Sequence, residues 1–287
     1  MSSFYFETLF NTAVNNIDQG GIISGVVTAG NWLLLASLLF SIYENWNAQD
    51  VGALGRAGVR YFVATGILAV YTSAFLLVNH TFNLIAAGID NAGASGVDVF
   101  VKWSNDLSVY IQQAGHPSFM GMVTGTISGA FSALCLGLAY LVFPLSTGIF
   151  AILYCLYGCL LFTFGPIVIG LLPLRGLGQL ARTFLINLMV FNSWGIMYAV
   201  FGSLLTVLNL GSMQQVMNSG SFLGSFVGVG SSILLGLVSV LLSIMILTIP
   251  VIATKLVKGD VGSAVGSAMR AVSSAASTIG RFSGGGK

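Results

Sequence analysis

Charged side chains are scarce in this 287-residue chain: they make up 6% of its residues, whereas 56% are hydrophobic. A soluble domain carries about 25% charged residues, so a soluble fold could not cover this much apolar surface. Cysteines are also few, and the three present give no sign of a disulfide framework. The chain lacks a GxxxxGK(S/T) phosphate loop, an HExxH pair and a nucleophile elbow. We therefore expect no nucleotide hydrolysis by this chain and no cofactor.

Long apolar stretches fill most of the chain. Six of them contain no Asp, Glu, Lys, Arg or His, at residues 22–43, 61–78, 119–143, 146–172, 183–208 and 226–252. A membrane-spanning helix needs about 20 predominantly apolar residues. The sequence therefore predicts an all-α polytopic membrane protein, and it limits the function to transport, channel formation, membrane anchoring or assembly.

The first 21 residues form a separate segment. They include Glu7 and Asp18 but no Lys or Arg, whereas a secretory signal peptide begins with a basic region. Apolar residues recur at helical spacing between residues 3 and 18, at Phe6, Leu9, Phe10, Ala13, Val14 and Ile17. We predict an amphipathic helix that lies at the membrane surface or packs on a partner subunit.

The basic residues predict the orientation of the chain, because Lys and Arg accumulate in short cytoplasmic loops. Nine of the ten lie after the first, fourth or sixth apolar stretch, and only Lys102 lies elsewhere. This pattern places the N-terminus outside and the C-terminus inside. The predicted cytoplasmic basic anchors are Arg56, Arg60, Arg175, Arg182, Lys255 and Lys258.

An outside N-terminus and an inside C-terminus require an odd number of crossings, although six stretches are present. The stretch 119–143 is rich in Gly and Ser and is followed by Pro144. We therefore expect it to be re-entrant or packed inside protein, which is where irregular backbone is tolerated at membrane depth. The prediction is about five net crossings. The alternative is six true spans, with the charge rule broken at one end.

Five regions follow from this organisation. They are the amphipathic segment 1–21, two transmembrane helices in 22–78, an external loop 79–118, a transmembrane core 119–252 and a basic, Gly/Ser/Ala-rich cytoplasmic tail 253–287. The loop is partly helical in pattern, and Trp103 and Tyr110 suit a membrane interface or a partner surface. It would line a vestibule or dock a periplasmic partner. The tail is either a short interfacial helix that meets anionic lipid or disordered.

Small and polar residues within the apolar stretches predict helix packing. Glycines four residues apart let helix backbones approach closely in membranes, either within one chain or between copies. They occur at Gly121, Gly125 and Gly129, and again at Gly220, Gly224 and Gly228. Asn187 and Asn192 are expected to form hydrogen bonds across helices or, alternatively, to line a pore. The six stretches lack the ionisable groups on which ion-coupled transporters usually rely.

The order of these parts resembles a known family. A dense hydrophobic block ends in Phe164-Gly165-Pro166-Ile167-Val168-Ile169, a basic link follows from Leu174 to Arg182, and the last stretch closes with a PxIAxxLxxG pattern. That pattern is formed by Pro250, Ile252, Ala253, Leu256 and Gly259. Over about residues 20–268 the chain resembles the TrbL/VirB-type polytopic inner-membrane component of type IV secretion (conjugation) systems. It departs from the family at Phe184, where members carry a Trp.

This resemblance implies a location in the bacterial inner membrane, in several copies, at the base of a secretion channel. It also implies a protein that is not an enzyme, because the ATPases of such machines are separate subunits. It implies contacts with the periplasmic stalk, the pilin, the inner-membrane ATPases and membrane lipid, and transient contact with transferred DNA or protein. The family's substrate and stalk contacts correspond here to Asp98, Lys102, Trp103, Asp106 and Tyr110. Two other hypotheses remain at this point: a small-solute permease or channel, and a structural or holin-like membrane protein.

Overall fold

The structure is a computed structural model that describes residues 5–49, 51–92, 99–113, 127–174, 177–208 and 231–259. In those residues every regular element is an α-helix. The helices are α1 (Tyr5–Gln19), α2 (Ile22–Asn47), α3 (Val51–Ala69), α4 (Tyr71–Ala92), α5 (Val99–Gln113), α6 (Ile127–Gly170), α7 (Gly178–Val207) and α8 (Ser231–Val257).

Five of the described helices are long and apolar enough to cross a membrane. The candidate spans are Ile22–Asn47, Tyr71–Ala92, Gly137–Gly170, Gly178–Val207 and Gly236–Val257. Many large apolar side chains on these helices are exposed, including Trp32 and Phe40 on α2 and Ile152 on α6. Lipid would cover such surfaces, so the prediction of an all-α, multi-pass membrane protein is confirmed.

The second apolar stretch does not form one helix. Residues 61–78 are divided at Val70, because α3 ends at Ala69 and α4 begins at Tyr71. The candidate span is therefore Tyr71–Ala92, and the predicted boundary at residue 78 between span and external loop lies inside α4. Hydropathy missed both ends of this span. The run stays apolar across Val70, and the part of α4 after residue 78 contains the polar Asn79 and Asn83, which are buried and hydrogen-bonded.

The described part of the predicted re-entrant segment is continuous helix. Residues 127–143 continue through Pro144 into the following stretch and form the 44-residue helix α6, about 66 Å long. The expectation of a re-entrant turn is therefore wrong for these residues. Pro144 removes only the hydrogen bond that its N–H would have donated to the carbonyl of Tyr140, and the helix continues past it. Residues 119–126 lie outside the described part.

The chain forms two compact units. The first comprises Met1–Leu84 and Leu153–Ser193, and the second comprises Ile85–Ile152 and Trp194–Lys287. In the first unit, α1 is held by its apolar face: Phe6, Phe10 and Val14 are buried at four-residue spacing. The prediction of an amphipathic N-terminal helix is thus confirmed. Its apolar face, however, packs on other helices of its own chain rather than only on lipid or a partner.

An aromatic cluster holds α1 in the first unit. The ring of Phe10 lies 5.4 Å from Phe191 of α7, 6.2 Å from Tyr154 of α6 and 6.3 Å from Phe75 of α4, measured between centroids. Gly158 of α6 makes room for it, because an added Cβ there would lie 2.5 Å from Phe191 and 2.6 Å from Phe10. One apolar residue of α1 therefore joins three candidate spans.

Helices α2 and α3 form a hairpin along a seam of small side chains. The link between them turns at Gln49, which has a left-handed φ of 54°. Ser41 and Asn45 of α2 line one cleft together with Ala53 and Ala57 of α3, and such small side chains allow close approach of the two backbones. The residues buried on α2, whichever helix covers them, are Ile23, Gly30, Leu34, Ser37, Ser41 and Asn45, and those buried on α3 are Ala53, Ala57, Ala64 and Leu68.

The second unit is organised around α5. Phe100 and Trp103 of this helix are fully buried, and the ring of Phe100 lies 4.6 Å from that of Tyr198 in α7. Trp103 donates a hydrogen bond from Nε1 to Ser239 Oγ of α8 at 3.0 Å. The predicted external loop thus contains a helix whose apolar face packs against two candidate spans.

Candidate functional site

A network of buried amides joins three candidate spans in the first unit. Asn83 Nδ2 donates to Asn79 Oδ1 one turn earlier in α4 at 2.9 Å, and Asn79 Nδ2 donates to Asn192 Oδ1 of α7, also at 2.9 Å. Asn192 Nδ2 donates to the carbonyl of Leu188 at 2.8 Å. The hydroxyl of Tyr154 in α6 lies 3.5 Å from Asn79 Nδ2. The predicted cross-helix hydrogen bond of Asn192 is therefore confirmed.

An ionisable pair adjoins this network. Glu7 Oε1 of α1 lies 2.9 Å from His80 Nδ1 of α4. Glu7 is buried, whereas the His80 side chain is 57% exposed. The six predicted stretches contained no ionisable residue, but α4 begins at Tyr71, so its span includes His80. Ionisable groups at membrane depth commonly mark functional sites, and this pair was missed because its members are 73 residues apart.

The chemistry of the network is limited by its residue types. Side-chain amides donate and accept hydrogen bonds but do not ionise. The amides can hold helices together or line a polar path, but they cannot carry protons alone. Asn79 and Asn83 could have been noticed in the sequence as two amides one helical turn apart. Nothing in the sequence around Tyr154 indicated that its hydroxyl would lie beside these amides.

A second cluster surrounds the Gly165-Pro166 motif of α6. Pro166 has no N–H, so the carbonyl of Phe162, four residues earlier, loses its helical donor. The hydroxyl of Tyr71 in α4 donates to this carbonyl at 2.9 Å. Neighbouring helices commonly satisfy the backbone groups that proline frees in membrane helices. Gly165 permits the approach, since an added Cβ at that position would collide with the Tyr71 hydroxyl.

The same motif is also where α2 meets α6. A Cβ added at Gly30 of α2 would lie 2.7 Å from the carbonyl oxygen of Pro166, and one added at Gly170 would lie 2.5 Å from the carbonyl oxygen of Gly30. Glycine is therefore required at both positions for the two backbones to approach this closely. Three helices, α2, α4 and α6, thus converge at the motif that the sequence analysis singled out.

A basic cleft lies between α2 and α3, near the turn that joins these two helices. Arg56 and Arg60, one turn apart on α3, line it together with Ser41 and Asn45 of α2 and Pro173 after α6. Its volume is about 60 Å³. Among the described residues that line it, none is acidic. The structure thus brings two of the predicted basic anchors together with buried polar groups.

The other predicted anchors are distributed elsewhere. Arg182 is exposed near the start of α7, Lys255 is half-buried in the last turn of α8, and Lys258 is exposed just beyond it. Arg175 lies outside the described residues. None of these three described residues lines the basic cleft.

The predicted contact residues of the external loop divide into two groups. Lys102 is exposed and Asp106 is half-buried on α5. Trp103 is fully buried and hydrogen-bonded to Ser239, so the expectation that its indole forms a partner or membrane surface is wrong. The apolar face of this short helix packs within the chain instead. Tyr110 lies in α5, and Asp98 falls outside the described residues.

Five of the six glycines in the predicted packing motifs lie outside the described residues. Gly129 lies in the first turn of α6, whereas Gly121, Gly125, Gly220, Gly224 and Gly228 fall outside the described residues. The close helix contacts that the structure does describe use other glycines, among them Gly30, Gly158 and Gly170. No spacing pattern marks these glycines, because each faces an aromatic ring or a backbone from a distant segment rather than a glycine four residues away.

Comparison with known proteins does not assign the chain to a family. No model of a known protein family matches the chain, and no curated protein matches it. Within the described ranges, no group of three or more His, Cys, Asp or Glu residues is placed to hold a metal ion. The functional assignment therefore depends on the motifs, the helices and the polar clusters described above.

Proposed function

We propose that this protein is the polytopic platform subunit of a type IV secretion system, in the bacterial inner membrane and in several copies. In this role it supports pilus assembly and the transfer of DNA or protein. The secretion ATPases that drive transfer are separate subunits. The proposal begins from the order of motifs between residues 20 and 268 that resembles the TrbL/VirB-type component.

The observation that carries the proposal is the use of the Gly165-Pro166 motif. A short sequence match has little specificity alone, but here the motif coincides with the convergence of α2, α4 and α6. Tyr71 donates a hydrogen bond to the carbonyl that Pro166 leaves without a donor. Gly30, which has no side chain, lets the backbone of α2 pack against the Pro166 carbonyl. A motif with this packing role is what a shared membrane architecture would retain.

The number of candidate spans supports the proposed orientation. The candidate spans in the part of the chain that the structure describes number five, an odd number, as an outside N-terminus and an inside C-terminus would require. Lys102 and Lys258 are both exposed and fall on opposite sides in this arrangement. We expect a cysteine at position 102 to react with a membrane-impermeant maleimide from the periplasm, and one at position 258 only after the membrane is opened. Labelling of position 258 in intact cells would contradict the orientation.

Deletion in the native host tests the function. We expect loss of both substrate transfer and pilus formation, with recovery on expression of the intact chain. A Gly30→Leu variant should fail to restore them, because its side chain collides with Pro166. Gly25→Leu is the matched control, since an added Cβ at Gly25 has no neighbour within 4 Å. Unchanged transfer and pili after deletion would refute the proposal.

A second candidate function is a small-solute channel or permease. The amide network and the Glu7–His80 pair favour it, because they place polar and ionisable groups beside candidate spans. This hypothesis predicts a solute flux in liposomes that contain the purified chain alone, and Asn79→Leu should abolish it. The absence of any flux, together with the deletion phenotype above, would favour the platform.

A further inference from the structure

Helix α1 lies over the polar residues that join the spans of the first unit. Its Phe6 and Phe10 rings lie 5.9 and 6.2 Å from the ring of Tyr154, measured between centroids. The Tyr154 hydroxyl in turn lies 3.5 Å from Asn79 Nδ2. Tyr154 and Asn79 are almost fully buried. Removal of α1 would therefore uncover Tyr154 and, through it, the amide network.

The residues of α1 suit two different surroundings. Phe6, Phe10 and Val14 are buried on one face, whereas the opposite face is polar and exposed at Thr12 and Asn15. The helix has 15 residues and is about 22 Å long, too short to cross a hydrocarbon core of about 30 Å. Amphipathic helices of this kind are also stable in the membrane interface, with the apolar face against lipid. Withdrawal of α1 from its aromatic groove therefore need not expose that face to water.

The polar contacts of α1 and of the network beneath it also favour reversible docking. Glu7 is buried 2.9 Å from His80, although apolar residues in place of a buried ionisable pair are often equally or more stabilising. The amides of Asn79 and Asn83 can exchange their hydrogen bonds with water, since they both donate and accept. A site that stayed permanently dry would be filled at least as well by apolar side chains.

Two glycines between α1 and α2 supply a hinge. Helix α1 ends at Gln19 and α2 begins at Ile22, so Gly20 and Gly21 form the whole link. Gly21 has a left-handed φ of 72°, a region that side chains other than glycine adopt only at a cost. An added Cβ at Gly21 would have no neighbour within 4 Å, so conformation rather than space favours glycine there. Such a link can change its backbone angles while α2 stays in place.

We propose that α1 is a hinged cover of the amide network. The structure holds the closed state, in which α1 fills the groove between α4, α6 and α7 of the first unit. In the open state α1 turns at Gly20 and Gly21, lies with its apolar face against lipid, and admits water to Asn79, Asn83 and Asn192. The cover thus controls the hydration of polar groups between three candidate spans. This inference goes beyond the proposed secretion role and does not depend on it.

The test uses the full chain in lipid nanodiscs, with its three cysteines replaced by alanine and one cysteine introduced by Asn83→Cys. Asn83 is 2% exposed, so the rate at which a charged methanethiosulfonate modifies this cysteine reports how often α1 opens. The reporter is common to every variant, so its own effect cancels in the comparison. Fast modification without further substitution would overturn the proposal, because the network would then be open to water already.

The hinge is tested at Gly21. Gly21→Ala should accelerate modification about tenfold, because opening relieves the strain of alanine at a left-handed φ. Gly21→Asn should accelerate it less, since asparagine tolerates that conformation. Gly25→Ala is the matched control one turn into α2, where an added Cβ also has no neighbour within 4 Å, and should leave the rate unchanged. Equal rates for Gly21→Ala and Gly25→Ala would overturn the hinge.

A second pair of variants separates opening of α1 from general loosening. Phe10→Ala removes the ring that α1 places in the groove and should accelerate modification at least tenfold. Phe143→Ala removes an equally buried ring of α6 in the second unit and should have little effect at position 83. Equal acceleration by both, or none by either, would refute the cover. Gly21→Ala still tests the proposal if Phe10→Ala does not fold.

Discussion

The hydrogen bond from Tyr71 replaces one that Pro166 removes from α6, and this compensation can be measured. Tyr71 Oη donates to the carbonyl of Phe162 at 2.9 Å and lies 3.3 Å from that of Leu161. Tyr71→Phe removes the donor but keeps the ring, which stacks on Phe162 at a centroid distance of 5.7 Å. The variant therefore isolates the hydroxyl from the aromatic packing around it.

The expected cost follows from burial. An unsatisfied buried carbonyl costs about 1–3 kcal/mol, whereas interhelical hydrogen bonds measured in membranes average about 0.6 kcal/mol and reach about 1.7. Tyr71 and Phe162 are both buried, so we expect Tyr71→Phe to lower the free energy of unfolding by about 1–2 kcal/mol. Tyr43→Phe is the control, because the Tyr43 side chain is exposed, and its effect should be near zero.

A double-mutant cycle tests the mechanism. In Pro166→Ala the alanine supplies an N–H to Phe162, so the Tyr71 hydroxyl is no longer needed there. Tyr71→Phe should then cost less than about 0.5 kcal/mol, which leaves a coupling of about 1 kcal/mol between the two positions. Reversible unfolding of the four proteins in mixed detergent micelles measures this. An equal loss in both backgrounds would refute the compensation.

Three further predictions concern packing and polar contacts. Gly158→Ala should lower the free energy of unfolding by about 1–3 kcal/mol through overpacking, because the new Cβ lies 2.5 Å from Phe191. Gly148→Ala is the control: its Cβ has no neighbour within 4 Å, so it should be neutral or slightly stabilising in the same unfolding assay. Trp103→Phe should cost about 1–2 kcal/mol beyond the change in ring size, since Ser239 loses its partner; an unaltered midpoint would contradict the buried placement. Glu7→Gln should cost about 1 kcal/mol, because an amide replaces the carboxyl group at the 2.9 Å contact with His80 and a neutral hydrogen bond is about half as strong as a charge-assisted one; no change in the free energy of unfolding would contradict a role for this contact in holding α1.

Composition and hydropathy were sufficient for the class of fold. The lack of charge and the length of the apolar runs predicted a helical membrane protein, and helical spacing predicted the amphipathic α1. The cross-helix bond of Asn192 was also predictable, since an amide in an apolar helix needs a partner. These features depend on local sequence and on the cost of leaving polar groups unsatisfied.

Features set by contacts between distant segments could not be predicted in the same way. The break at Val70 lies within a continuous apolar run, so hydropathy gave no boundary there. Pro144 suggested an interruption, but a long helix tolerates the loss of one hydrogen bond. Trp103 had the composition of an interface residue, and only the packing of α5 against α8 shows that it is buried. Glu7 and His80 are brought together by the docking of α1.

The membership of this protein in a secretion machine is the central claim, and co-purification tests it most directly. The chain would be tagged in its native host and extracted with a mild detergent under conditions that keep such machines intact. The account predicts recovery together with the secretion ATPases, the periplasmic stalk protein and the pilin. Recovery of the chain alone, as a small homo-oligomer, would contradict it and favour the channel or permease.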